Sequence, residues 1–126
     1  MTKTTDEIKS LLLNIITIWT KGDKDAIDKY YAKDFHGEYY GKKVCFEDLV
    51  RRIDYLQLNL TDRKIELQQV IHQGNHVAIR FHWEANDISE GHTSLDIAGF
   101  YEFNDQWQVT KAWAYANEPV DYTLMD

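Results

Sequence analysis

Gly99-Phe100-Tyr101-Glu102-Phe103-Asn104-Asp105-Gln106-Trp107-Gln108-Val109-Thr110-Lys111-Ala112-Trp113-Ala114-Tyr115 reads as two strand segments joined by a tight polar turn at Asn104-Asp105-Gln106. The whole strands run from Thr93 to Phe103 and from Trp107 to Ala116. Upstream, His76 to Glu84 alternates cleanly, with Val77, Ile79, Phe81 and Trp83 on one face and Ala78, Arg80, His82 and Glu84 on the other. Lys64 to His72 precedes it as a further strand, closed by the turn signal Gln73-Gly74-Asn75. Asn86 to Gly91 reads as a polar loop, and the tail from Asn117 is polar.

Helices occupy the first part of the chain. Residues 5–20 place Ile8, Leu11, Leu12, Ile15, Ile16 and Trp19 on one face at helical spacing. Thr5 is a cap residue, Asp6 and Glu7 suit the first turn, and Gly22 ends the helix. Asp23 can cap a second helix over 24–32, whose apolar face is Ala26, Ile27, Tyr30 and Tyr31. Phe35 to Tyr40 is extended, Gly41 breaks it, and Phe46 to Leu58 forms a third helix with Leu49, Ile53 and Leu56 inward. Helices first and then consecutive antiparallel strands imply an α+β fold. One face of the sheet lies under the helices. The other is wet or paired, and Trp83, Trp107 and Trp113 are too many large aromatics for a wet face, which points to a homodimer through the outer sheet face.

The chain of 126 residues is long enough for one domain, 1–126, with one core. Four Trp, eight Tyr and five Phe exceed what a core of this size needs, and Tyr and Trp also line pockets. A net charge of −7 without a Lys/Arg cluster opposes nucleic-acid and anionic-membrane binding. The apolar stretch around Leu11 to Trp19 is too short to span a bilayer, and Asp6 and Glu7 precede it, so it is not a signal peptide. One cysteine, Cys45, forms no intrachain disulfide, and a cytoplasmic location is the expectation. No Gly-rich phosphate loop is present, so no redox cofactor is expected.

Several motifs in this order resemble the nuclear transport factor 2-like superfamily, with its SnoaL-like polyketide cyclases, ketosteroid isomerase and scytalone dehydratase. They are Trp19-Thr20-Lys21-Gly22-Asp23, Tyr30-Tyr31-Ala32-Lys33-Asp34-Phe35, Val77-Ala78-Ile79-Arg80-Phe81 and the Phe103 to Trp113 hairpin. The resemblance covers nearly the whole chain. It implies a cone, in which helices pack into a strongly curved antiparallel sheet around an apolar cavity with an open mouth. The isomerase's tyrosine, aspartate base and protonated aspartate fall on Ile15, Tyr39 and Gly99, so that mechanism is not implied here. The cyclases' acid/base, four residues after a tryptophan on the last strand, falls on Asn117, an amide. The dehydratase resemblance places one of its tyrosines on Tyr39 and one of its histidines on His82. Its second histidine falls on Ser94, and its other tyrosine and its aspartate fall on Trp19 and Thr20.

These residues define the candidates. His82 can exchange a proton near pH 7, and Tyr39 can polarise a carbonyl oxygen, as in a cofactor-independent lyase or isomerase. The bland reading leaves His82 on the polar face beside Arg80 and Glu84, unless a bulge restores its facing. Tyr39 and Tyr40 are adjacent, so one of them points inward. Trp19, Phe81, Ser94, Trp113 and Tyr115 are the expected pocket lining for a small, largely apolar ligand. Asp96, in Leu95-Asp96-Ile97-Ala98, is either a desolvated carboxylate or an exposed one. His82 and Glu84 stand at metal-ligand spacing without a third ligand, so no metal is expected. His36, His72, His76 and His92 read as surface or loop residues. Cys45 stands before a helix start, where a thiol pKa can fall, and reads as structural. The rival functional class is a non-catalytic binding or dimeric adaptor module.

Overall fold

The computed structural model describes residues 2–89 and 91–118; expectations for the tail beyond 118 lie outside them. Three helices, α1 (Thr5–Lys21), α2 (Ile27–Tyr30) and α3 (Phe46–Asn59), accompany six strands. The strands are β1 (Tyr31–Tyr39), β2 (Lys42–Cys45), β3 (Leu60–Gln73), β4 (His76–Asp87), β5 (Gly91–Phe103) and β6 (Val109–Ala116). They form one curved, unclosed sheet in the order β2-β1-β6-β5-β4-β3, with the α+β, ketosteroid isomerase-like architecture.

α1 forms where its apolar spacing predicts, and buries Ile8, Leu12, Ile15 and Ile18. Burying side chains of this size stabilises by about 1.5–3 kcal/mol each. Its cap is Thr4 rather than Thr5: the Thr4 hydroxyl accepts from Glu7 N–H, and the Glu7 carboxylate accepts from Thr4 N–H at 2.9 Å. Gly22 ends the helix in the left-handed conformation, donating its N–H to the Ile18 carbonyl at 2.8 Å. The expected second helix shrinks to a 3-10 turn, Lys24–Ala26, followed by the four residues of α2. Asp23 makes no side-chain cap there, and Tyr31 has already entered the sheet.

Two features of the sheet depart from the sequence reading. β2 is a strand where none was expected. β1 runs parallel to β6, because the chain adds its first strand alongside its last, while every other pairing is antiparallel. Irregular register marks β3 against β4 in two places, β5 against β6 at Glu102/Phe103, and β1 against β6 between Tyr31 and His36. Such bulges bend strands and raise their twist. β4 against β5 has no such break: every residue from His76 to Asp87 has its partner in order.

The parallel seam has a steric condition. Gly37 lies opposite Ala112, and a Cβ built on it would stand 2.5 Å from the Ala112 carbonyl oxygen. Only a residue without a side chain lets the two backbones approach this closely. Gly37→Ala is expected to cost about 1–3 kcal/mol by overpacking. Chemical denaturation would read this as a lowered midpoint, and a midpoint equal to the parent's would contradict the close approach.

Candidate functional site

Between the helices and the concave side of the sheet lies a cavity of about 110 Å3. α1 supplies Leu12, Ile15, Ile16 and Trp19 to it, and α3 supplies Arg52 and Leu56. The sheet supplies Ile79, Phe81 and Trp83 from β4, Leu95, Ile97, Gly99 and Tyr101 from β5, and Ala114 from β6. Gly99 and Ala114 are register partners, so two of the smallest residues meet in mid-sheet on the inward face. Larger side chains there would fill the space that the cavity occupies.

Tyr39 and Tyr40 both line the cavity, against the expectation that only one of two neighbours could. The reason is the turn. Tyr40 and Gly41 join β1 to β2 with φ of 56° and 86°, the pattern of a two-residue type I′ hairpin. A left-handed Tyr40 leaves the strand's alternation, at a conformational cost of about 1–2 kcal/mol. Its N–H donates to the Ala114 carbonyl at 3.0 Å, which fixes the turn against β6. The Tyr39 and Tyr40 rings then lie 6.4 Å apart at 52°. Deeper in, the indole N–H of Trp19 donates to the Tyr31 hydroxyl at 3.2 Å. Burial pushes the Tyr101 phenol well above its ordinary pKa, with Tyr31 and Tyr40 adding to the effect, so it stays an O–H donor. None of the described lining residues is a carboxylate or a histidine. The cavity can therefore orient an oxygen by hydrogen bonds, while no described residue of its lining ordinarily titrates near neutral pH.

His82 and Ser94 are on the other side of the sheet. With β4 and β5 in unbroken register, Phe81 and Trp83 face the cavity and His82 faces out. The bulge that could have reversed it does not occur between these two strands. The imidazole Nδ1 stands 2.8 Å from Asp96 Oδ1 and Nε2 stands 2.9 Å from Ser94 Oγ, with Glu84 Oε1 at 3.4 Å. Glu66 on β3 is its register partner on the other flank. The order carboxylate, imidazole, hydroxyl is that of a hydrolytic triad. The hydrogen bond to Asp96, joined by Glu84, outweighs partial burial and raises the histidine's pKa. The cluster is a hydrogen-bond clamp across β4 and β5. Asp96 itself is an exposed carboxylate, its side chain 57% accessible.

Trp113 and Tyr115 also face outward. Their partners across β5 are Phe100 and Ala98, and the register shift at the start of β6 leaves Ala112 and Ala114 inward. Of the residues expected to act or to line the pocket, the cavity thus brings together Trp19, Tyr39 and Phe81, while His82, Ser94, Trp113 and Tyr115 occupy the outer face. Arg52, Tyr40 and Tyr101 are the lining residues with polar heads that sequence reasoning missed. The i, i+4 relation of Arg52 to the inward Leu56 was the available signal. Cys45 precedes α3 as expected. The Asp48 backbone N–H favours its thiolate, yet burial and the Asp48 and Glu47 carboxylates prevail and raise the thiol's pKa. Its Sγ donates to Glu47 Oε2 at 3.2 Å. Among the described residues no three His, Cys, Asp or Glu side chains converge to hold a metal ion, and no helix is long and apolar enough to cross a membrane.

This fold is shared with known proteins. The family model for the SnoaL-like domain matches residues 13–111, and the chain belongs to that family. Among solved structures, AclR from Streptomyces galilaeus, provisionally named a hydroxylase, superposes with a TM-score of 0.75 at 20% identity, over 90% of this chain and 91% of that one. A SnoaL-like polyketide cyclase from Agrobacterium tumefaciens gives 0.74 at 12% identity, over 87% and 91%. A protein of ketosteroid isomerase-like fold from Catenulispora acidiphila, solved with trimethylamine, gives 0.73 at 13%, over 83% of each chain. At these identities the likeness is one of fold. No curated protein matches the chain in sequence.

The His82 clamp has a pH signature. A folded-state pKa raised above the unfolded value contributes stability that is complete below the unfolded pKa and is lost as pH rises through the folded one. Histidine titration by NMR should place His82 above the ordinary value of about 6.5, and Asp96→Asn should bring it down. A His82 that titrates at or below the ordinary value would contradict the clamp.

Proposed function

We propose that this SnoaL-like protein binds a small, largely apolar molecule inside its cone and holds it by hydrogen bonds, without proton transfer by the cavity lining. The observation that supports this most is the composition of the lining. Aliphatic and aromatic walls surround the phenols of Tyr39, Tyr40 and Tyr101, with no carboxylate or histidine among the described lining residues. Ligand sites commonly combine such walls with a few placed polar groups. A lyase or isomerase using His82 with Tyr39 needs both on one ligand, and the sheet stands between them.

Calorimetric titration with 1-naphthylmethanol, a neutral bicyclic probe, tests the reading. Wild type is expected to bind it, and Ala114→Phe, which fills the cavity floor, is expected to weaken binding at least about tenfold, or about 1.4 kcal/mol. His82→Gln should leave the affinity unchanged. Undiminished binding by a folded Ala114→Phe variant would place the ligand elsewhere and sink the proposal.

A second reading has its own observation. On the outer face Phe100, Tyr115 and Ile71 are 46%, 53% and 60% exposed, around Trp113 in an open groove. His72, His76 and Glu102 edge it. An apolar patch with a polar rim suits a protein contact, and a twofold axis would lay the groove on its own copy. We propose a homodimer through this face. Trp113 is the only one of the three tryptophans first invoked that supports it, since Trp107 is buried and Trp83 lines the cavity. Sedimentation should give a dimer that Phe100→Asp converts to monomer; a monomeric wild type at about 100 μM would refute it.

A further inference from the structure

On the outer face, away from the cavity, three side chains stand in line. Asp96 and His82 are register partners on β5 and β4, and Ser94 precedes Asp96 by two residues on the same face. Strand alternation thus sets a carboxylate, an imidazole and a hydroxyl side by side. Asp96 Oδ1 is 2.8 Å from His82 Nδ1, and Ser94 Oγ is 2.9 Å from His82 Nε2. The partners fix the direction of these hydrogen bonds. A carboxylate only accepts, so Nδ1 carries the proton of the neutral ring. Nε2 then holds the lone pair and accepts from the Ser94 hydroxyl. Glu84 Oε1, 3.4 Å from Nε2, is another acceptor and bonds there only when the ring is protonated. Ser94 is exposed, and the three residues lie toward the β4–β5 hairpin, apart from the groove around Trp113.

The strand edge beside Ser94 supplies further donors. Asp96 donates its N–H to Asn117 Oδ1, and its carbonyl accepts from Asn117 N–H, both at 3.0 Å, so its backbone groups face away from β4. Backbone direction repeats every second residue, and Ser94 N–H therefore points the same way. Pairing with β6 starts only at Ile97, so among the described residues no strand covers that amide. With Oδ1 given to Asp96, the side-chain NH2 of Asn117 lies at the same edge.

We propose that Ser94, His82 and Asp96 form an acyl-transfer site that hydrolyses small carboxylic esters, independently of the cavity. Ser94 Oγ attacks the ester carbonyl carbon while its proton passes to His82 Nε2. The carbonyl electron pair moves onto oxygen, toward Ser94 N–H and the Asn117 amide. Collapse of this intermediate breaks the bond to the alcohol, which leaves with the proton from Nε2. Water repeats the sequence on the acyl-serine, releases the acid and restores Ser94. Asp96 is a positioning residue, which keeps the Nε2 lone pair aimed at Ser94. His82 serves as base only when neutral. Asp96 and Glu84 face it, with Glu66 across β3, Arg80 two residues along β4, and Lys64 and His92 beside Glu84. The Asp96 hydrogen bond dominates and raises the imidazole's pKa, so turnover should rise with pH through a value above the ordinary one of about 6.5.

Diisopropyl fluorophosphate tests the nucleophile: attack by Ser94 Oγ on phosphorus expels fluoride and leaves a stable ester that peptide mass mapping locates. In mildly alkaline buffer the full chain is expected to take up one equivalent, on Ser94. Ser94→Ala should abolish this label, and His82→Gln should slow it at least about a hundredfold. Asp96→Asn should slow it and move the pH midpoint of labelling down, in step with the His82 titration, which a merely structural role would not do. p-Nitrophenyl acetate should then give a burst of p-nitrophenol with an acetyl group on Ser94. Circular dichroism checks that each variant is folded; if His82→Gln is not, the pH midpoint of wild-type labelling, set against the His82 titration, decides in its place. A label absent from Ser94, a rate unchanged in folded His82→Gln, or a midpoint unrelated to His82 would overturn the proposal and leave the three residues a clamp between strands.

Discussion

The unbroken pairing of β4 with β5 is the constraint on which the rest of the structure depends. Twelve residues from His76 to Asp87 meet their partners without a slip. Side chains alternate strictly along such a pair, so one register decides the side of the sheet for all of them. Ile79, Phe81, Trp83, Leu95, Ile97, Gly99 and Tyr101 are thereby committed to the cavity, and His82, Ser94, Asp96 and Phe100 to the outer face. The bulges that bend the sheet fall on other pairings, where they curve it without disturbing this one. Among the described residues two chemically distinct faces result: an inner one of apolar side chains with phenols and Arg52, and an outer one with carboxylates and histidines.

Room inside the cone depends on what is missing from its wall. Gly99 and Ala114 face each other in mid-sheet, and the helices above them contribute branched and aromatic side chains that pack on the rims. The Tyr40-Gly41 turn then adds two phenols at once, because a left-handed residue escapes the strand's alternation. Strain held at a cavity-facing turn, together with small residues at the floor, gives a cavity whose shape is built by backbone rather than by chance packing. Gly37 contributes at a distance, since its close approach to Ala112 seats β1 against β6 and so sets where the turn projects.

Charge separates the two faces further. On the outside His82 lies between its register partners Asp96 and Glu66, and the Asp96 hydrogen bond, with Glu84 beside it, raises the imidazole's pKa. Inside, the guanidinium of Arg52 lies over the Tyr55 ring, 5.3 Å from its centroid.

What the sequence by itself determined was whatever a local period encodes. The amphipathic spacing of Ile8 to Trp19, the alternation of Val77 to Trp83 and the turns at Gly74 and Asn104 give the helices, most strands and the α+β class. With the family motifs they also marked Trp19, Phe81 and Tyr39 for the cavity. The parallel seam of β1 with β6, the strand β2 and the shortening of the second helix were decided only by tertiary structure, because they depend on which distant segments pair. The same holds for the site. Alternation gives two faces and leaves open which one meets the core, so His82, Ser94, Trp113 and Tyr115 could be located only once register was known. Arg52, a charged residue in a polar helix repeat, looks like any solvated arginine until a cavity forms beside it.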